Sequence, residues 1–386
     1  MTLTFPKNSK YSYPTLLYFI KDLTRKIMTS TLKVDKVATS RIQEVDMNNL
    51  DFGRCFTDHM FEMQYTHNTW KKGQIKPFGP IEINPALNVL HYGQAVFEGM
   101  KAFYVDEKQI NLFRPDVHHA RFNRSCRRMC IPETSYEVFI EALEILIRLD
   151  AAWVPKKRGT ALYIRPFIFA NENYLAARVS ATYAYHIIMS PVGAYYGEGF
   201  NPVSLTTSPD FVRAVPGGTG EAKTAGNYAA SFLPAQQAQQ DGFTQVLWLD
   251  AIDHKYIEEV GTMNIHFLIG DTLVTPSLTG SVLSGITRDS VIQLAKEWGY
   301  EVQERKISID EVMQASADGH LKEVFGSGTA AVISFVDRIA HKGQEITIGD
   351  GRIGQLAERF HNTITGIQYG QLDDYFDWTH PVSIHF

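Results

Sequence analysis

The chain has 386 residues, 44% of them hydrophobic and 20% charged, so its composition is globular and its length allows two separate cores. A formal net charge of −5 argues against nucleic acid as the main partner, because a phosphate backbone is held by clustered lysine and arginine. Three cysteines (Cys55, Cys126, Cys130) make no disulfide framework, the histidines form no H-E-x-x-H, and no metal site is expected.

Taken in chain order, residues 1–27 carry Lys7, Lys10, Lys21, Arg25 and Lys26 against the single acid Asp22, around the apolar patch YPTLLYFI. Two explanations stand: an organellar presequence, or a chain whose translation begins at Met28. No apolar run approaches the ~18 residues of a membrane span. A reducing cytoplasm suits the cysteine usage, with an organelle as the alternative if the first segment is a presequence.

From about Phe78 to Pro115, short apolar segments alternate with turn residues, in NPALNVLHYGQAVFEGMKAF and INLFRP. These are expected as strands and tight connections. Thr134 and Glu137 form a capping box ahead of the helical pattern VFIEALEILIRL. GTALYIRPFIFA is strand-like, which puts Tyr163 and Arg165 on one face and Leu162 and Ile164 on the other. MSPVGAYYGEGFNPVSL clusters Pro and Gly between strand-like runs and marks a domain boundary. Beyond it follow the small-residue stretch GTGEAKTAGNYAAS, a helix-like SFLPAQQAQQDG and the buried-strand run TQVLWLD. Thr287 is expected to cap a helix that closes at Gly299, and Ser308 with Glu311 one that closes at Gly319. The class is mixed α and β, in two domains with a cleft between them.

Four segments bear on chemistry. Lys223 sits among glycines and alanines, which leave room for a flat ligand beside its amine, although a flexible surface loop has the same composition. SGITR delivers Ile286 and Thr287 to a helix N-terminus, a site for anions. FGSGTAA reads as a small-residue loop after LKEVF, open to a phosphate or carboxylate or a mere turn. Glu259 of YIEEVGTMN can hold a ring nitrogen protonated, and the phenol of Tyr228, five residues after Lys223, can meet a phenolate oxygen. A lysine for an imine, an acid for a pyridinium, a phenol and helix-end amides together specify pyridoxal phosphate. No G-x-G-x-x-G stands between strand and helix, as hydride transfer on a dinucleotide would want.

HYGQAVFEGMKAF, LFRP, LYIRP, SPVGAY, KTAGNY, EEVGTMN, SGITR and FGSGTA follow one another from about Phe52 onward. This ordered set resembles the branched-chain amino acid aminotransferases of the fold-type IV pyridoxal-phosphate class. The resemblance implies a smaller α/β domain over 39–197, an interdomain loop over 198–206 and a larger cofactor-binding α/β pseudo-barrel domain over 207–386, with 1–38 as an N-terminal extension. It implies Lys223 as the Schiff-base lysine, Glu259 on the pyridine nitrogen, and Tyr228 on the phenolic oxygen with Arg213 near it. Arg114, Ile286, Thr287 and Thr329 would hold the phosphate. Tyr163, Arg165, Tyr92, Phe97 and Tyr195 would line the substrate side, with Thr262 and the amide of Ala330 close to the bound molecule. Tyr92 and Leu175 would come from a neighbouring subunit, which implies a homodimer. The implied reaction passes the amino group of leucine, isoleucine or valine to 2-oxoglutarate in two half-reactions. The alternatives within the class are D-amino acid aminotransferases and aminodeoxychorismate lyases, which lack the LFRP–LYIRP–EEVGTMN combination. Mammalian members place a redox-active CxxC where this chain has Ala331 and Ser334.

Overall fold

The computed structural model describes residues 32–193 and 202–384, and among them two sheets form, of ten and nine strands. In the first, neighbouring strands run Lys33–Val34, Gln74–Pro77, His59–Thr66, Tyr183–Val192, Ala161–Ala170, Met100–Asp106, Gln109–Phe113 and Thr379–Ser383. Thr69–Trp70 adds to His59–Thr66, and Ala95–Phe97 to Ala161–Ala170. The expected alternation in LYIRP holds. Leu162 and Ile164 are fully buried, while Tyr163, Arg165, Phe167 and Phe169 share the half-buried opposite face. The buried face packs under helices Pro115–Arg128 and Tyr136–Leu149, with Phe122, Phe139, Leu143 and Leu146 meeting Ile164, Ile168 and Ile187.

The second sheet runs Ile257–Val260, Gln245–Leu249, Val203–Thr207, Val332–His341, Leu321–Gly328, Asn264–Ile269, Thr272–Thr275 and Glu301–Glu304, with Gln344–Thr347 beside Val332–His341. It begins at Val203, inside the 198–206 stretch. Thr379–Ser383, inside 207–386, pairs antiparallel with Gln109–Phe113 of the first sheet. A core shared by both sheets holds them together. Phe103, Phe113, Ala161 and Val192 of the first pack with Phe325 and Phe335 of the second, with Phe360 of the helix Gln355–Gln368 and with Trp378. Among the described residues no helix is long and apolar enough to cross a membrane.

Several local expectations are corrected. NPALNVLHY is not all strand and connection: Asn88–Tyr92 is a short helix, closed by Gly93 at φ +64°. The helix over VFIEALEILIRL is capped by Ser135, whose Oγ accepts from Val138 N, and not by Thr134. Thr134 is already engaged, its backbone with the Asn123 amide and its hydroxyl with His119. Thr287 lies in the first turn of Ile286–Glu297, and Gly285 takes the cap position. There a Cβ would stand 1.8 Å from Asn264 Oδ1, so only glycine fits. FGSG belongs to the strand Leu321–Gly328, and the turn is confined to the residues after it. Ser308 does cap its helix, accepting from Glu311 N, and Gly299 and Gly319 take positive φ just past their helices.

Candidate active site

The lysine segment is pinned. Lys223 donates its backbone N–H to Ser125 Oγ (2.9 Å) and accepts at its carbonyl from Phe97 N (3.0 Å), while Thr224 Oγ1 donates to Ala95 O (2.6 Å). Asn227 ties the loop to itself through the carbonyls of Thr219 and Ala222. The small residues have a packing reason here, since a Cβ on Gly220 would come within 2.3 Å of Ser281 O. With its backbone fixed, Lys223 directs Nζ to the Tyr228 phenol, donating at 2.6 Å. The same amine lies 4.9 Å from the centroid of Phe97 and 5.1 Å from that of Tyr228.

Beyond Phe97 lies the strand Ala161–Ala170. The Arg165 guanidinium stacks 4.7 Å over Phe97 and donates through Nη2 to Tyr163 Oη at 3.0 Å. Its Nε is buried without a hydrogen-bond partner. Gly99 makes room for the tyrosine, because a Cβ there would lie 1.9 Å from Tyr163 Oη.

Glu259, on the strand Ile257–Val260, is 2% exposed. Its Oε1 accepts from Asn264 Nδ2 and Leu283 N, both at 3.1 Å, and its Oε2 stands 2.5 Å from Arg213 Nε. Burial pushes the carboxyl up to about 7, against the pull of the Arg213 charge. Oε2 receives no directed hydrogen bond. A protonated ring nitrogen would supply a directed donor where Arg213 supplies only its charge, so the site fits a pyridinium.

Ile286 and Thr287 open the helix Ile286–Glu297, whose cap offers no side-chain acceptor to its free amides. They share a cavity with Thr329, Lys101 and His118. Arg114 is held against the same helix: its Nη1 donates to Ser290 Oγ (2.9 Å) and Ile286 O (3.3 Å), and its Nη2 pairs with Asp289 (2.6 Å). Its backbone is left-handed, at φ +50°, an unfavourable conformation for a residue with a side chain.

The remaining expected residues are placed as follows. Ala330 follows Thr329 in the turn before Val332–His341, and Thr262 lies exposed in the turn before Asn264–Ile269. Tyr92 and Leu175, 44% and 63% exposed, are joined by the phenol donating to the Leu175 carbonyl at 2.7 Å. Tyr195 lies outside the described residues.

The structure adds residues that motif spacing did not single out. Asn264 links the acid to the anion pocket by touching Glu259 on one side and closing on Gly285 on the other. Glu98 is fully buried, with Arg121 (2.7 and 2.8 Å) and His118 (2.9 Å) donating to it. Burial opposes its ionisation, yet these two partners hold its carboxyl well below the usual range. Arg121 reaches on to Ser284 O, just before the helix start. Both Glu98 and Lys101 stand within FEGMKAF, where an isolated acid or lysine carries no sign of burial.

The family described as amino-transferase class IV matches residues 95–339, a span that includes Lys223, Tyr228 and Glu259. The branched-chain-amino-acid aminotransferase 2 of Bacillus subtilis (strain 168) is 51% identical over 354 residues, covering 92% of this chain and 97% of that protein. Among solved structures, the branched-chain amino acid aminotransferase from Escherichia coli superposes with a TM-score of 0.64 at 27% identity, over 83% of this chain and 98% of that one. The T.th. branched-chain amino acid aminotransferase with pyridoxamine 5'-phosphate gives a TM-score of 0.67 at 26% identity, over 82% of this chain and 97% of that one. With half its residues shared over nearly the whole length of the Bacillus relative, this chain belongs to the branched-chain amino acid aminotransferases, of the class IV, fold-type IV aminotransferase family.

Proposed function

We propose that the protein transfers the amino group of L-leucine, L-isoleucine or L-valine to 2-oxoglutarate with pyridoxal 5'-phosphate as cofactor, reversibly and in two half-reactions. The observation that carries this reading is the pairing of a pinned lysine amine with a buried carboxylate whose Oε2 is ion-paired to Arg213 but receives no directed hydrogen bond. When bound, the cofactor supplies the electron sink for breaking the substrate Cα–H bond.

The chain's own residues do the rest. Lys223 Nζ would carry the cofactor and, once freed, would move the proton from the substrate Cα to the cofactor side in the first half-reaction and back to the new substrate's Cα in the second. That general-base role needs a neutral amine. Tyr228 orients that amine through its phenol. Glu259 keeps a proton on the ring nitrogen, and Asn264 and Leu283 N fix its other oxygen. Arg114, Thr287, Thr329 and the amides of Ile286 and Thr287 bind the phosphate. Phe97 and Tyr163 give the aliphatic side chain an apolar wall, joined by Tyr195 and by Tyr92 from a second subunit, while Arg165 meets the extra carboxylate of glutamate. Thr262 and the Ala330 amide meet the common carboxylate.

The working unit is a homodimer. The exposed Tyr92–Leu175 pair supports this, because neither residue has a place in its own protomer's lysine cluster. Three free cysteines support a reducing cytoplasm. Absorbance of the purified protein with pyridoxal phosphate, followed by addition of L-leucine and then 2-oxoglutarate, tests the reading. The cofactor band should shift with the amino acid and return with the oxo acid. A band that responds to D-alanine and ignores L-leucine would overturn it. Light scattering checks the dimer.

A further inference from the structure

Lys101 is a buried cation for which the family motifs provide no role. It lies on the strand Met100–Asp106, on the side facing the core shared by both sheets, and is 9% exposed. One of its three donor hydrogens goes to the Ala330 carbonyl at 2.6 Å, across the junction between the sheets. No carboxylate offsets its charge, and burial pushes the ammonium down to about 8. An ammonium taken out of water without a counter-charge is costly and is rarely retained without a partner.

The cavity beside it says what that partner is. Lys101 lines the same small space as Ile286, Thr287 and Thr329, under the uncapped first turn of Ile286–Glu297. The helix end contributes a positive potential, and the two threonines contribute hydroxyls. Arg114, which serves the phosphate in the reading above, stands outside this lining and shares its charge with Asp289. His118 is turned to Glu98, and burial lowers its readiness to take a proton against the pull of that carboxylate. Among the residues lining the cavity, the cation without a carboxylate partner is therefore Lys101.

We propose that Lys101 is a phosphate-binding residue: its ammonium holds the turn 329–331 through the Ala330 carbonyl and supplies the counter-charge to the cofactor phosphate seated on the helix end. This rests on the reading of the site given above.

The test is equilibrium titration of the cofactor-free protein with pyridoxal phosphate and, separately, with pyridoxal, which lacks the phosphate. Lys101→Met keeps the apolar stem and removes the charge, and Lys101→Arg keeps the charge. The Met variant should bind pyridoxal phosphate about tenfold more weakly or worse, with pyridoxal unchanged and the Arg variant close to the parent. Lys101→Gln serves in place of Met should the Met variant not fold. Unchanged affinity for pyridoxal phosphate, or an equal loss for both ligands, overturns the proposal. So does a lowered melting temperature of the cofactor-free variant with an unaltered preference for the phosphate, since that is the mark of a turn clamp alone. Failure of the parent protein to bind either ligand would instead overturn the underlying reading of the site.

Discussion

Lys223 Nζ and Tyr228 Oη stand 2.6 Å apart, with the Phe97 ring closing the other side of the amine. Because backbone bonds to Ser125 and Phe97 hold the lysine segment in place, the side chain past Cβ adds only its contacts with Tyr228 and Phe97. Lys223→Ala should abolish transamination and move the unfolding free energy by no more than about 0.5 kcal/mol, as for a substitution outside any core. Turnover with L-leucine and thermal unfolding check the two halves. Near-normal turnover would remove Lys223 from its assigned role.

Glu259→Gln keeps the shape and the hydrogen bonds of Oε1 but can no longer favour a charged ring nitrogen. The variant should retain cofactor and lose turnover by roughly 10²-fold or more, as when a preorganised charge partner is removed. The measurement is the steady-state rate at full cofactor occupancy. An unchanged rate would mean that another acid holds the nitrogen.

The same carboxyl makes the cofactor-free protein sensitive to pH. Its folded-state value is raised to about 7 by burial, above the ordinary value of 4.5, so between these two the folded chain binds more protons than the unfolded one. Stability from this group is fully present below pH 4.5 and is lost as pH rises through 7. Melting curves of the cofactor-free protein across this window should show the fall, and Glu259→Gln should flatten it. Identical slopes for the two proteins would contradict the assignment.

Arg165 is stacked on Phe97 and bonded to Tyr163, with its Nε unpartnered, so it is poised to receive an acidic side chain. Arg165→Met should therefore slow the glutamate half-reaction on the order of 10-fold to 100-fold more than the leucine half-reaction, because a carboxylate would be buried without its partner. Single-turnover measurements separate the two. Equal losses would place Arg165 on the carboxylate common to both substrates.

Mild peroxide should leave activity unchanged. Ala331 and Ser334 cannot form a disulfide, and Cys126 is fully buried, with its thiol pushed far above the ordinary range by that burial. Mass spectrometry should find modification at exposed Cys130 and not at Cys126. Inactivation reversed by thiol would contradict this.

Much of the fold was readable where periodicity was strong. Leu162 to Ala170 alternates cleanly and Ser308 carries its own box, whereas two long helices escaped notice. Pro115–Arg128 is rich in histidine and arginine, and its buried face includes His118, His119 and Arg121, so its apolar stripe is interrupted. Gln355–Gln368 likewise begins at a glycine that provides no side-chain cap. At the site, lysine, acid and phenol were recognisable by type and order. The residues that position them were not, because Asn264 and Glu98 matter only through neighbours brought close by folding. Gly285 is the clearest case, since its need for glycine comes from Asn264 and not from the turn.

The strand Thr379–Ser383 completes the first sheet, and just before it the Trp378 carbonyl accepts from Arg114 N at 2.6 Å while its ring lies under the Arg114 guanidinium. During synthesis, therefore, this sheet waits with Gln109–Phe113 as a bare edge until residues 379–383 have been made. Arg114 cannot settle into its left-handed conformation before then, so a nascent chain has no finished seat for a phosphate. A message cut short ahead of this strand would yield a protein with most of its core, an open edge and a defective anion pocket. Such a product is suited to aggregation and not to catalysis.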